Sequence, residues 1–296
     1  MTPLDTDATV DIDAKATGAD RAGGATRAAV SLGDLQRAWR AVAAGHFRNA
    51  SDAPLVDDLI SGAGSTWAPS PGERVIPVVG CAGSCGATTV ALAIAEAVRG
   101  RARVVDCGSA VTSGLAAASS AELGRHSSGW VQGTRGEMLL ERAVGRIAGP
   151  ADVPLPSAPA RPVDVTVLDV AWGLEHVMAR PSWLASRVKE ADPVVVVATP
   201  TIPGLRRLET ALALLDGTPM VAVVGPPRRR WPNPVAHSLG PLTKALDRAG
   251  RVVVIPLDRR LAFAGPEPTA LPAPLVAAAE RLLQLAGIPQ PQGGPA

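Results

Sequence analysis

Six short runs dominated by valine and other apolar residues recur along the chain, and stretches of helical pattern separate most of them. The runs are Val75–Val79, Arg103–Asp106, Val163–Asp169, Pro193–Ala198, Met220–Val224 and Arg251–Ile255. They are continuous rather than alternating, which suits strands buried on both faces of a parallel sheet. Helical stretches are expected over Thr88–Val98, Pro203–Leu215, Pro234–Ala249 and Pro274–Ala286. This rhythm predicts an α/β domain, a doubly wound and mostly parallel sheet with helices on both faces, over residues 74–287. Residues 108–160 are rich in Gly, Ser and Pro, and they leave open a hairpin or a helix between Glu137 and Ile147.

The flanks read differently. Residues 1–30 are mostly Ala, Thr, Asp and Gly, too poor in large apolar groups to offset their ordering entropy, and are expected to be disordered. Residues 31–73 are expected to hold a short amphipathic helix and a linker. Leu32, Leu35, Trp39 and Val42 form its apolar stripe, Ser31 is a candidate cap, and a Gly/Ser/Pro stretch follows. The stripe is read as packing on the main domain, with a docking helix for a partner as the alternative. The tail, residues 288–296, is expected to be flexible.

Composition removes several function classes. A hydrophobic content of 47% supports a sizeable core, and a net charge of +2 gives no general electrostatic pull on nucleic acid. Three cysteines, Cys81, Cys85 and Cys107, do not make a disulfide framework and fit a reducing cytoplasm. No secretory signal is visible, and no apolar run is long enough to cross a bilayer. His126, His176 and His237 are scattered without metal-ligand spacing. Arg228-Arg-Arg-Trp-Pro is a basic loop, solvated in the ordinary case and able to touch DNA phosphates in the other.

The loop after the first run reads Gly80-Cys-Ala-Gly-Ser-Cys-Gly-Ala-Thr-Thr. A phosphate-binding loop needs glycines so that backbone N–H groups converge on an anion. It also needs a helix beginning at once, so that the helix N-terminus faces the phosphate. Both conditions hold, and Thr88 stands where a hydroxyl would reach Mg²⁺.

Here the chain resembles the ParA/MinD family of P-loop ATPases. That family's deviant loop, Lys-Gly-Gly-x-Gly-Lys-Thr-Thr, falls on Ala82, Gly83, Ser84, Cys85, Gly86, Ala87, Thr88 and Thr89. Gly83, Gly86, Thr88 and Thr89 match, whereas alanines replace both lysines. TadZ/CpaE-type members of the superfamily are similar at this Gly-Ala-Thr-Thr. Asp106 matches the first carboxylate of the family's Asp-x-Asp, and Gly108 stands in place of the second. Asp169-Val-Ala-Trp-Gly-Leu-Glu resembles the MinD-like Asp-Ser-Pro-Ala-Gly-Ile-Glu. The segments beginning at Ala191 and Ile255 resemble its later strands, the second being the Pro-x-Asp segment that lies near the adenine.

The resemblance implies a P-loop NTPase fold. It implies ATP or ADP held by Gly83, Ser84, Cys85, Gly86, Ala87, Thr88, Thr89, Gly173, Pro256 and Asp258. It further implies Mg²⁺ at Thr88, Asp106 and Asp169. For Asp106, a turn cap and a metal ligand stay open as alternatives.

The missing lysines shape the expected activity. One ammonium about 4 Å from a phosphate oxygen is worth roughly 4 kcal/mol at an effective dielectric near 20. Phosphoryl transfer depends on such charges, so weak nucleotide binding with little hydrolysis is expected. Arg135 is a candidate replacement for a lost lysine. The resemblance implies a switch that positions a cargo such as a plasmid, a pilus or a conjugation apparatus, with a protein partner, a homodimer or nonspecific DNA as associations. The alternative is a pseudo-ATPase scaffold that binds no nucleotide.

Overall fold

The computed structural model describes residues 66–288 apart from residues 99, 110–112 and 127. The expectations for residues 1–30, for the helix around Trp39 and for most of the tail lie outside the described residues.

Nine strands form one sheet in the order β3-β4-β5-β2-β6-β1-β7-β8-β9. The six valine-rich runs are β1 (Arg74–Gly80), β2 (Ala102–Asp106), β6 (Val165–Asp169), β7 (Val195–Ala198), β8 (Met220–Gly225) and β9 (Val252–Pro256). Neighbours among these six all pair in parallel. Successive residues of each run supply opposite faces. Val78, Val104, Val167 and Val197 enter the core under one face, while Val79, Val105, Leu168 and Val196 enter the core under the other. Burying such a side chain stabilises by about 1.5–3 kcal/mol, so runs apolar at every position hold both helix layers.

The helices divide accordingly. α1 (Ala87–Ala97) and, from the other end of the sequence, the long C-terminal helix Ala273–Leu285 pack together in the first core. Between β6 and β7 lie α2 (Leu174–Met178) and α3 (Trp183–Glu190), which pack in the second core. α4 (Ile202–Ala213) joins them there and begins where the Thr201 side chain accepts from the Gly204 N–H.

The expected helix Pro234–Ala249 is instead two: α5 (Asn233–His237) and α6 (Pro241–Arg248). Pro241 lacks an N–H to continue the first helix, so it opens the second. The Glu209 carboxylate accepts from the N–H groups of Leu242 (2.6 Å) and Thr243 (3.1 Å) and so caps that new N-terminus. α7 (Arg259–Ala264) precedes the C-terminal helix, which is α8.

The hairpin reading wins over the helix reading in the opaque region, and the hairpin starts earlier than expected. β3 (Ala121–His126), β4 (Trp130–Arg135) and β5 (Met138–Ala143) form an antiparallel meander, and β5 joins β2 in parallel. A buried ionic knot ties it to the base of the sheet. Arg103 on β2 reaches Glu73 at 2.8 Å and Glu141 of β5 at 3.3 Å, and donates to Thr166 (3.0 Å) and the Ser157 carbonyl (2.8 Å). Trp67 lies over the same guanidinium at 5.7 Å and meets Trp183 edge-on.

Candidate nucleotide site

β1 is central, and the chain leaves it toward β2 on one side and later toward β7 on the other. In such sheets the crevice at the carboxyl ends of the strands near this reversal is the natural ligand site. A cleft of about 900 Å³ lies there. Loops after β1, β6, β7, β8 and β9 line it, with Gly83, Ser84, Cys85, Gly86, Ala87, Thr88, Thr89, Asp169, Gly173, Pro256 and Asp258 among the lining residues. All the residues expected to hold nucleotide are therefore brought together.

The loop from Gly80 to Gly86 turns sharply into α1. Gly86 adopts φ 92°, and a Cβ there would stand 3.3 Å from Val224. Ser84 is left-handed too, at φ 58°, a conformation that costs a non-glycine residue roughly 1–2 kcal/mol. No side chain caps α1, so its first N–H groups have no side-chain partner at the loop. Their partial positive charge faces the cleft.

Asp106 and Asp169 sit opposite one another in register at the ends of β2 and β6. Asp169 lines the cleft, whereas Asp106 lies two strands away from β1, beyond β6, and is not part of the lining. Both are about 1% exposed. One oxygen of Asp106 accepts from the Gly108 N–H at 2.8 Å, so the turn-cap reading holds for that atom. The other Asp106 oxygen and both Asp169 oxygens have no hydrogen-bond partner.

Burial pushes the Asp169 carboxyl up to about 7. The Asp106 charge adds to the rise, and the nearby Thr88 hydroxyl pulls against it without completing a bond. Burial raises Asp106 as well, opposed by Ser113, Gly108 and Arg142. The two orphaned Asp169 oxygens beside the Thr88 hydroxyl are donors of the hard-oxygen kind that Mg²⁺ takes, completed by water and phosphate, while Asp106 stays outside the cleft lining. The residues present therefore fit the ion the resemblance implies.

Among the described residues no lysine or arginine lines the cleft, and His176, exposed on its rim, is the only basic side chain among the lining residues. Arg135 is not a replacement for a lost lysine. It pairs with Glu96 in the last turn of α1 at 3.2 Å and donates to the carbonyls of Ala118, Glu267 and Thr269. That places it at the far end of α1 from the loop. Its separation in sequence from Glu96 and Thr269 hid this role.

Sequence reasoning missed Trp172, Thr199, Thr201 and Trp231, which also line the cleft. Thr201 was findable as a helix cap ahead of Pro203. Trp231 was visible only as part of the basic loop, where its indole N–H donates to the Pro226 carbonyl at 2.9 Å. Asp258 has a second task, capping α7 by accepting from the Leu261 N–H at 2.9 Å.

No family profile matches the chain, and no curated protein matches it. Solved structures of similar shape include a ParA family ATPase from Chlorobium tepidum, 15% identical over 74% of this chain and 93% of that one, with a TM-score of 0.38. Another is a nucleotide-binding protein from Archaeoglobus fulgidus in complex with ADP, 13% identical over 74% and 96%, with a TM-score of 0.42. A third is the cell division ATPase MinD of Pyrococcus furiosus, 16% identical over 72% and 99%, with a TM-score of 0.38. Scores this low carry no functional weight.

Proposed function

We propose that this chain is a degenerate ParA/MinD-like switch that binds ADP or ATP with Mg²⁺ weakly, hydrolyses little and positions a cargo through a protein partner. The observation that supports this most is the pairing of a glycine-rich loop with two buried carboxylates, three of whose four oxygens are left without partners. A fold kept for scaffolding alone gains nothing from such oxygens, because each unpaired buried polar group costs about 1–3 kcal/mol.

Each residue has a task in this reading. Backbone N–H groups around Gly83 and Gly86 and at the start of α1 cradle the phosphates. Thr88 and Asp169 hold the cation, with Asp106 behind them. Gly173 offers a backbone N–H at the terminal phosphate, and Pro256 and Asp258 border the base. The ion supplies the positive charge that Ala82 and Ala87 no longer provide. Nothing among the lining residues stabilises charge on a transferring phosphoryl group as a lysine would, so turnover stays near background. Self-association and DNA contact through Arg229 and Arg230, both exposed, belong to the same reading.

The absence of lysine and arginine among the described residues that line the cleft favours a second reading, a scaffold that binds no nucleotide. Calorimetry with ATP and ADP in the presence of Mg²⁺, beside a phosphate-release assay, separates the two. Binding near the micromolar-to-millimolar boundary with background hydrolysis is expected. Turnover of about 1 s⁻¹ or faster would overturn the degenerate assignment. No binding at millimolar nucleotide would leave the scaffold.

A further inference from the structure

The loop after β6 contains a residue that the reading above does not use. Ala171 adopts φ 58°, a left-handed conformation that L side chains rarely take, and Trp172 follows it. Strain of this kind persists where surrounding contacts over-determine it, and it gathers at functional sites. Here one such contact is visible: the Trp172 indole N–H donates to the Cys107 carbonyl at 2.8 Å. Cys107 directly follows Asp106, and Trp172 comes three residues after Asp169. The indole therefore reaches from the end of β6 across to the end of β2, the two strands that carry the carboxylates. It also lines the cleft, together with Gly83, Thr88 and Gly173.

A nucleotide seated on the Gly80–Gly86 loop would place its inner phosphates at the start of α1. A further phosphate would extend toward the residues after Asp169, because β6 is the immediate neighbour of β1. Trp172 belongs to that stretch and lines the cleft there beside Gly173. Moving it would break the bond to Cys107 and expose a half-buried aromatic ring. Among the described lining residues the added charge of a third phosphate meets no lysine or arginine in return.

We propose that Trp172 is a specificity-determining residue that limits the site to nucleoside diphosphates and disfavours triphosphates. The inference rests on the nucleotide reading and deepens it. A ring that merely packs the loop would affect both nucleotides alike, so the ratio of affinities is the measurement that matters.

Calorimetry on the full chain with Mg·ADP and Mg·ATP, for wild type, Trp172→Ala and Trp172→Phe, tests this. Wild type is expected to bind ADP at least tenfold more tightly than ATP. Trp172→Ala should bring the two within about threefold, chiefly by strengthening ATP. Trp172→Phe keeps a ring but loses the anchoring N–H, and should fall between them. It also serves if the alanine variant does not fold. The tryptophan emission of wild type minus that of Trp172→Phe should shift with ATP and not with ADP. ADP binding with a ratio that Trp172→Ala and Trp172→Phe both leave unchanged overturns this inference alone, as does wild type preferring ATP. Failure of wild type and variants to bind either nucleotide overturns the nucleotide reading and this inference with it.

Discussion

Asp106 and Asp169 face each other in register on adjacent strands, both buried, and three of their four oxygens have no hydrogen-bond partner. An acid whose folded pKa is raised binds protons more tightly when folded, so stability falls as pH rises from the unfolded value toward the folded one. For Asp169 that window runs from 3.8 to about 7, and the cost is fully present above it. The melting temperature without divalent cations should therefore decline between pH 4 and pH 7. Asp169→Asn, which removes the charge, should melt higher than wild type at pH 8 and close to it near pH 4. Mg²⁺ competes with the proton, so its stabilising effect should grow from pH 5.5 to pH 8. Thermal melts across pH with and without Mg²⁺ check all three, and equal stability of the two proteins at pH 8 would contradict the buried-charge argument.

The neutral loop invites repair. Ala87→Lys returns a cation to the start of α1, where it would meet phosphate oxygens. At an effective dielectric near 20 the gain is up to roughly 4 kcal/mol, reduced by the cost of fixing a long side chain. A tenfold or larger rise in ADP affinity is expected by calorimetry. Arg135→Ala is the matched contrast. Its guanidinium serves Glu96 and the 267–269 carbonyls, so the variant should lose stability while leaving nucleotide affinity within about twofold.

The sequence exposed what depends on local pattern and hid what depends on distant pairing. The valine runs are apolar at every position because both faces of the sheet are covered, and that alone yields six strands and their parallel character. The Gly80–Thr89 loop is legible because its chemistry needs glycine and hydroxyl at adjacent positions. The meander was opaque because β3 is exposed along nearly its whole length and carries little apolar signal. α2 escaped notice because five residues are too few to show a helical period. Trp172 escaped as well, since its only marker was a tryptophan where the related motif has alanine.

The ionic knot around Arg103 yields a stability prediction independent of any ligand. Its side chain is about 1% exposed and pairs with Glu73 and Glu141, which are equally buried. Arg103→Met fills similar volume but strands two carboxylates in the interior. Removing one partner of a buried ion pair typically costs about 3–5 kcal/mol. Urea unfolding should show a loss of that size, whereas Arg101→Met, whose partner Asp164 is more than half exposed, should change stability by under about 1 kcal/mol. Similar losses in both variants would mean that the knot holds no special place in the fold.

The three thiols are Cys81 and Cys85 in the glycine-rich loop and Cys107 after β2, and all are free. Proximity suggests an oxidisable pair, but reactivity belongs to the thiolate. Burial pushes Cys81 up to about 12, helped by Cys85 and opposed by Arg207, and it raises Cys85 and Cys107 as well. At pH 8 a thiol with a pKa of about 12 is ionised in only about one molecule in ten thousand. Alkylation of the native chain by iodoacetamide should therefore be far slower than that of a free cysteine. Cys81, the only half-buried one, should be labelled first, and Cys85 and Cys107 should be labelled only on unfolding. Mass spectrometry of tryptic fragments over a time course reads this directly. Rapid labelling of Cys85 in the folded protein, or a Cys81–Cys85 disulfide after mild peroxide, would show that the loop opens far enough to expose its sulfur atoms, and the proposed phosphate site would then be open to control by oxidation.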